Sequence, residues 1–94
     1  MDLNNLGLVL QDMGDLAGAK EHLERALGID EAVYGKDHPD VATDVNNLGS
    51  VLKAMGDLAG AKEHYERALV ILEKFLPPGH PLIEATRRNL EGLG

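Results

Sequence analysis

The side chains able to do chemistry in this 94-residue chain are few. There are four histidines (His22, His38, His64 and His80), one serine (Ser50) and no cysteine. The histidines form two pairs, His22 with His64 and His38 with His80, each 42 residues apart. None stands three or four residues from another, the spacing that turns two imidazoles toward one metal on a helix. Without cysteine there is no thiolate zinc site, thiolate nucleophile or disulfide. No histidine or aspartate has a place in the sequence that makes it a base for Ser50. The stretch Gly14 to Gly18 lacks the Gly-Lys-Ser/Thr ending of a phosphate loop. The carboxylates are spread along the chain rather than gathered into a calcium loop. The expectation is a protein that is not an enzyme and uses no metal or cofactor. His22 and His64 read as surface residues, and His38 and His80 as residues at helix starts. What remains is recognition chemistry, carried by the amides of Asn4, Asn5, Asn46, Asn47 and Asn89 and a few cations.

The elements that would position these groups follow from composition and repetition. Ninety-four residues suffice for one small domain. Charged residues make up 27% and the apolar set 44%, an ordinary globular balance. Only Tyr34, Tyr65 and Phe75 are aromatic, so the core must be built from Leu and Ala, both good helix formers. A net charge of −7 argues against nucleic acid or an anionic membrane as partner. Apolar runs are too short for a membrane span, and Met1 is followed by acidic and polar residues, not by a signal peptide. A cytoplasmic location is expected.

The chain repeats itself at 42 residues, with 25 of 42 positions identical between 1–42 and 43–84. Asn4-Asn5-Leu6-Gly7 falls on Asn46-Asn47-Leu48-Gly49, and Met13 through His22 falls unchanged on Met55 through His64. A partial third copy begins near Ala85 and keeps Asn89-Leu90. Such repeats stack, because one unit cannot bury its apolar face alone. Val41, Val45, Leu48, Leu52 and Met55 form one helical stripe, and Leu58, Ala61, Tyr65, Ala68, Leu69, Leu72 and Leu76 another. Met55-Gly56-Asp57 separates them, with Gly ending one helix and Asp capping the next. Pro39 and Pro81 suit first turns. The expected helices span about 2–13, 16–33, 39–55, 58–76 and 81–92. Glu21–Arg25 and Glu63–Arg67 have the order that stabilises a helix by ~0.3 kcal/mol per pair. Gly7 and Gly49 lie inside helices, where Gly costs roughly 1 kcal/mol relative to Ala. They are expected to admit a neighbouring helix, Gly facing the buried row Ala19, Ala26, Ala61 and Ala68.

Leu48-Gly49, Ala61, Tyr65 and Ala68, with Leu6-Gly7, Ala19, Leu23 and Ala26 in the first copy, resemble the tetratricopeptide repeat. The 42-residue period, Asn-Asn-Leu-Gly, Glu-Arg-Ala-Leu and the Gly35-to-Pro39 loop are similar to its longer, kinesin-light-chain-like form. The resemblance implies an all-α solenoid of tandem antiparallel helical hairpins. It would hold about two and a quarter repeats: repeat one at 1–38, repeat two at 39–80 and a capping helix at 81–94. It implies a protein–protein interaction scaffold whose first helices line a concave, peptide-binding face. On those helices the side opposite the core stripe carries Thr43, Asn46, Asn47, Ser50, Lys53 and Ala54. The matching positions hold Asn4 and Asn5 in the first unit, and Ala85, Arg88, Asn89 and Gly92 in the third. Asn4, Asn5, Asn46, Asn47, Ser50, Lys53, Arg88 and Asn89 are therefore the candidate peptide-binding residues. Asn can pair with the backbone of an extended peptide, or it can join neighbouring helices. A carboxylate clamp of the chaperone type is not expected, since Arg88 is the one cation near the required positions.

Glu84, Arg87, Arg88 and Glu91 make the last helix polar, as a cap. The first helix, with Leu3, Leu6, Leu8, Val9 and Leu10, has no cap before it. That leaves as alternatives a piece of a longer array or a self-assembling spacer. The spacer would form a homo-oligomer through this helix or by domain swapping at Tyr34–Pro39.

Overall fold

A computed structural model describes residues 10–93 of the chain. Residues 10–12 are helical. Four helices follow: α1 (Leu16–Tyr34), α2 (Pro39–Ala54), α3 (Leu58–Phe75) and α4 (Pro81–Glu91). Of the expected first helix, residues 2–9 lie outside the described part, and the remainder ends at 12 rather than 13. The other four stand within a residue of their expected bounds.

The short sequence Met55-Gly56-Asp57 reverses the chain in three residues because each closes a different open end. Gly56 takes φ 88°, a left-handed conformation that Gly adopts without strain. Its N–H donates to the Lys53 carbonyl (3.0 Å) and that of Asp57 to the Leu52 carbonyl (2.9 Å), which satisfies the end of α2. Asp57 then turns its carboxylate to the start of α3 and accepts from the Gly60 N–H at 2.9 Å. Asp15 does the same for α1 through Gly18 N–H. The starts of α2 and α4 use histidine. Nδ1 of His38 accepts from the Asp40 N–H (3.0 Å) and Nδ1 of His80 from the Leu82 N–H (3.1 Å). The His38 ring stacks on Tyr34, 4.2 Å between centroids. Lys74 on α3 ties down the same loop by donating to Asp37 at 2.9 Å.

Packing is helix against helix in chain order. Ala19 and Leu23 of α1 meet Leu48 and Val51 of α2. Val41, Ala42 and Val45 of α2 join Ala68, Ile71 and Leu72 of α3 and Ile83 of α4. Leu52, Ala61 and Tyr65 form a third cluster, closed by Leu90 and Leu93. α2 is thus covered from two sides, and Ala42, Asp44 and Val51 are buried along with its expected stripe. A single stripe cannot describe a helix with two neighbours. Met55 and Leu58, both placed in core stripes from the sequence, are instead about half exposed. Both lie at the connection between the two helices, since α2 ends at Ala54 and α3 begins at Leu58.

The glycine notch is present, with a different occupant. A Cβ on Gly49 would stand 2.8 Å from Cε1 and 2.9 Å from Cδ1 of Tyr65. Gly49 therefore faces the Tyr65 ring, and not the Ala row as expected. Ala61 and Ala68, one turn to either side on α3, are fully buried. The expected helix-internal ion pairs also give way. Among the described residues Arg67 pairs with Glu31 across helices at 3.5 Å, and neither Glu63–Arg67 nor Glu21–Arg25 forms. His22 and His64 are half-buried rather than on the surface, each donating from Nδ1 to the carbonyl of Gly18 or Gly60 at 2.8 Å.

Gly49→Ala should destabilise the chain by about 1–3 kcal/mol, although Ala is the better helix former, because the added methyl overpacks the Tyr65 ring. Adding Tyr65→Leu, the residue present at Leu23 in the first repeat, should recover part of the loss. Urea unfolding of both single variants and the double variant checks this, and strictly additive losses would contradict it.

Candidate interaction surface

The candidate residues of the second and third units lie where α2 and α4 approach each other. Asn46 is the hinge of that approach. Its Nδ2 donates to Thr86 Oγ1 at 3.1 Å, and its Oδ1 accepts from Asn89 Nδ2 at 3.4 Å. The Thr86 hydroxyl donates in turn to the Leu82 carbonyl at 2.8 Å. Thr86 is fully buried, so the amide supplies a donor to an oxygen that water cannot reach. Ser50 lies within 2.9 Å of the Tyr65 hydroxyl and donates to the Asn46 carbonyl at 3.4 Å. One run of polar contacts thus joins Tyr65, Ser50, Asn46, Asn89 and Thr86 across three helices.

This sorts the expected residues. Asn46, Ser50 and Asn89 are half-buried and join helix to helix. Asn47 is half-buried beside them. Lys53 and Arg88 are exposed. Lys53 Nζ lies 3.6 Å from where a Cβ on Gly92 would stand, so its charge rests over the C-terminal end of α4, the negative end of that helix dipole. Arg88 makes no ion pair among the described residues. Asn4 and Asn5 lie outside the described residues. Thr86 was not foreseen. Its signal is its register, since it falls 42 residues after Asp44, which among the described residues is also a buried polar side chain.

Among the described residues no three His, Asp or Glu side chains converge. No helix there is long and apolar enough to cross a membrane. What the surface presents is two cations beside a braced row of amides, on the first helices of successive hairpins.

Stacked hairpins with this kind of face are helical-repeat scaffolds. The family model for the tetratricopeptide repeat matches residues 3–74, and the chain belongs to that family. Its 42-residue period is compatible with the kinesin-light-chain-like form. No curated protein matches the chain. Tetratricopeptide repeats are non-catalytic scaffolds that mediate protein–protein interactions.

Asn46→Ala should cost about 1–2 kcal/mol, since it strips a buried hydroxyl of its donor. A double-mutant cycle with Thr86→Val should show coupling of about 0.5–1.5 kcal/mol by chemical denaturation. Zero coupling would mean that the contact contributes nothing to stability.

Proposed function

We propose that the chain binds a peptide segment of a partner protein on the face shared by α2 and α4. Lys53 and Arg88 are its charged contacts, and Asn47 with the outer edge of Asn89 supplies hydrogen bonds to the peptide backbone. Asn4 and Asn5 would extend the same row into the first repeat. The observation that carries the reading is the pair of exposed cations on consecutive first helices of a chain whose net charge is −7. Asn46, Ser50 and Asn89 hold the backbones beneath them in fixed register, so the face is preformed. A preformed face binds without a large ordering cost. The matching segment carries acidic residues, which the two cations attract while the rest of the molecule repels them. The lack of cysteine fits work in the reducing cytoplasm.

An array of short peptides of graded acidity, read by fluorescence anisotropy, tests this. Acidic peptides should bind best, and Lys53→Ala with Arg88→Ala should weaken them about tenfold or more at unchanged helicity. Binding should also weaken as salt rises. If no peptide binds, and light scattering instead shows self-association, the self-assembling spacer replaces the scaffold.

A further inference from the structure

The two tyrosines of the chain are used in opposite ways. Tyr65 is 1% exposed and its hydroxyl meets Ser50. Tyr34 is 48% exposed, and its hydroxyl makes no hydrogen bond among the described residues. The residue 42 positions further on is Leu76, which packs against the cluster of Val41, Ile71 and Ile83. An aliphatic side chain serves that register, so packing alone does not call for a hydroxyl there. Leu76 lies beside Ile83 and Arg87 of α4, the helix that follows it. The matching neighbour of Tyr34 is the start of α2, and it is in place. The Tyr34 ring stacks on His38 with 4.2 Å between centroids and 15° between planes. Tyr34 is therefore exposed at a joint whose two hairpins are both present.

Tyr34 is the last residue of α1, and Gly35 leaves the helix at φ 86°. Residues 35–37 are exposed and non-helical. The last turn of α1 holds no basic residue against the helix dipole, so it opens readily. Across residues 26–40, Lys36 stands against four carboxylates, those of Asp30, Glu31, Asp37 and Asp40. Arg67 pairs with Glu31 and Lys74 with Asp37, both at solvent-accessible positions where an ion pair is weak. We infer that Tyr34 is a phosphorylation site for a protein tyrosine kinase whose substrate cleft is basic. Such a cleft attracts the carboxylates on both sides of the tyrosine. The phenol oxygen attacks the γ-phosphorus of MgATP, and the bond from that phosphorus to its bridging oxygen breaks. ADP leaves, and the phenol proton passes to the catalytic carboxylate of the kinase. The product carries a phosphate at the C-terminal end of α1, beside Asp30, Glu31 and Asp37, where the dipole and the like charges both oppose it. Phosphorylation thereby loosens the end of α1 and the Tyr34–His38 stack at the joint with α2. This site is separate from the face of α2 and α4 and does not depend on the reading of that face.

The test uses the whole chain, MgATP and the purified catalytic domain of a tyrosine kinase selective for acidic substrates. Mass spectrometry should find a single phosphoryl group, on Tyr34 and not on Tyr65. Tyr34→Phe should abolish the transfer. Asp30→Asn combined with Glu31→Gln should slow it about fivefold or more. The phosphorylated chain should melt at a lower temperature than the unmodified one, and phosphatase treatment should restore the midpoint. Absence of transfer to the folded chain, whether or not a peptide copying residues 26–40 is phosphorylated, would overturn the inference. Equal transfer to Tyr65 or an undiminished rate in the Asp30/Glu31 variant would do the same. An unchanged midpoint would overturn the loosening of the joint. Circular dichroism shows whether the variants keep their helices.

Discussion

Tyr65 occupies the space that Gly49 leaves open, and the rest of the array is arranged around that contact. A six-membered ring laid against a helix backbone needs a position with no side chain, and Gly49 supplies it at 2.8 Å clearance from an added carbon. The ring then reaches far enough for its hydroxyl to meet Ser50, the next residue of α2. Ser50 bonds the Asn46 carbonyl, and the Asn46 amide reaches α4. The apolar contact therefore sets the spacing of α2 and α3, and the polar run attached to it sets the position of α4. The cost of placing Gly within a helix, roughly 1 kcal/mol, is offset by burial of one large aromatic side chain.

The parts of this architecture governed by local rules were legible in the sequence. Asp57 reads as a cap, Pro39 and Pro81 as first-turn residues, and Gly56 as a helix end, because each acts on atoms within a few residues of itself. The 42-residue shift revealed the stacking for the same reason, since a repeat has to present matching faces to its neighbours. The parts that depend on which neighbour fills a space were not legible. Ala and Tyr are both plausible fillings for a glycine notch when only spacing is known. Direction is also undetermined for Asn46, since a polar residue at the border of a buried stripe can turn to solvent or to the next helix. Here a hydroxyl on α4 decides it, 40 residues away.

The histidines show the same limit from the other side. His38 and His80 accept backbone N–H groups through Nδ1, whereas His22 and His64 donate through Nδ1 to backbone carbonyls. One residue type thus serves in two opposite hydrogen-bonding roles, each role repeated at the same register. The first pair closes helix starts and must carry its proton on Nε2. The second pair sits well inside a helix, each ring bonding a carbonyl one turn before it, and must carry it on Nδ1. Spacing alone distinguished the pairs, but only the cap role follows from local sequence.

Among the described residues, several polar side chains serve to hold the helices of the array together. The histidines, Ser50 and the Asn46 amide are engaged in holding helices in place. Lys53 and Arg88 are exposed above these contacts, so a peptide bound as proposed would leave the helices beneath in place.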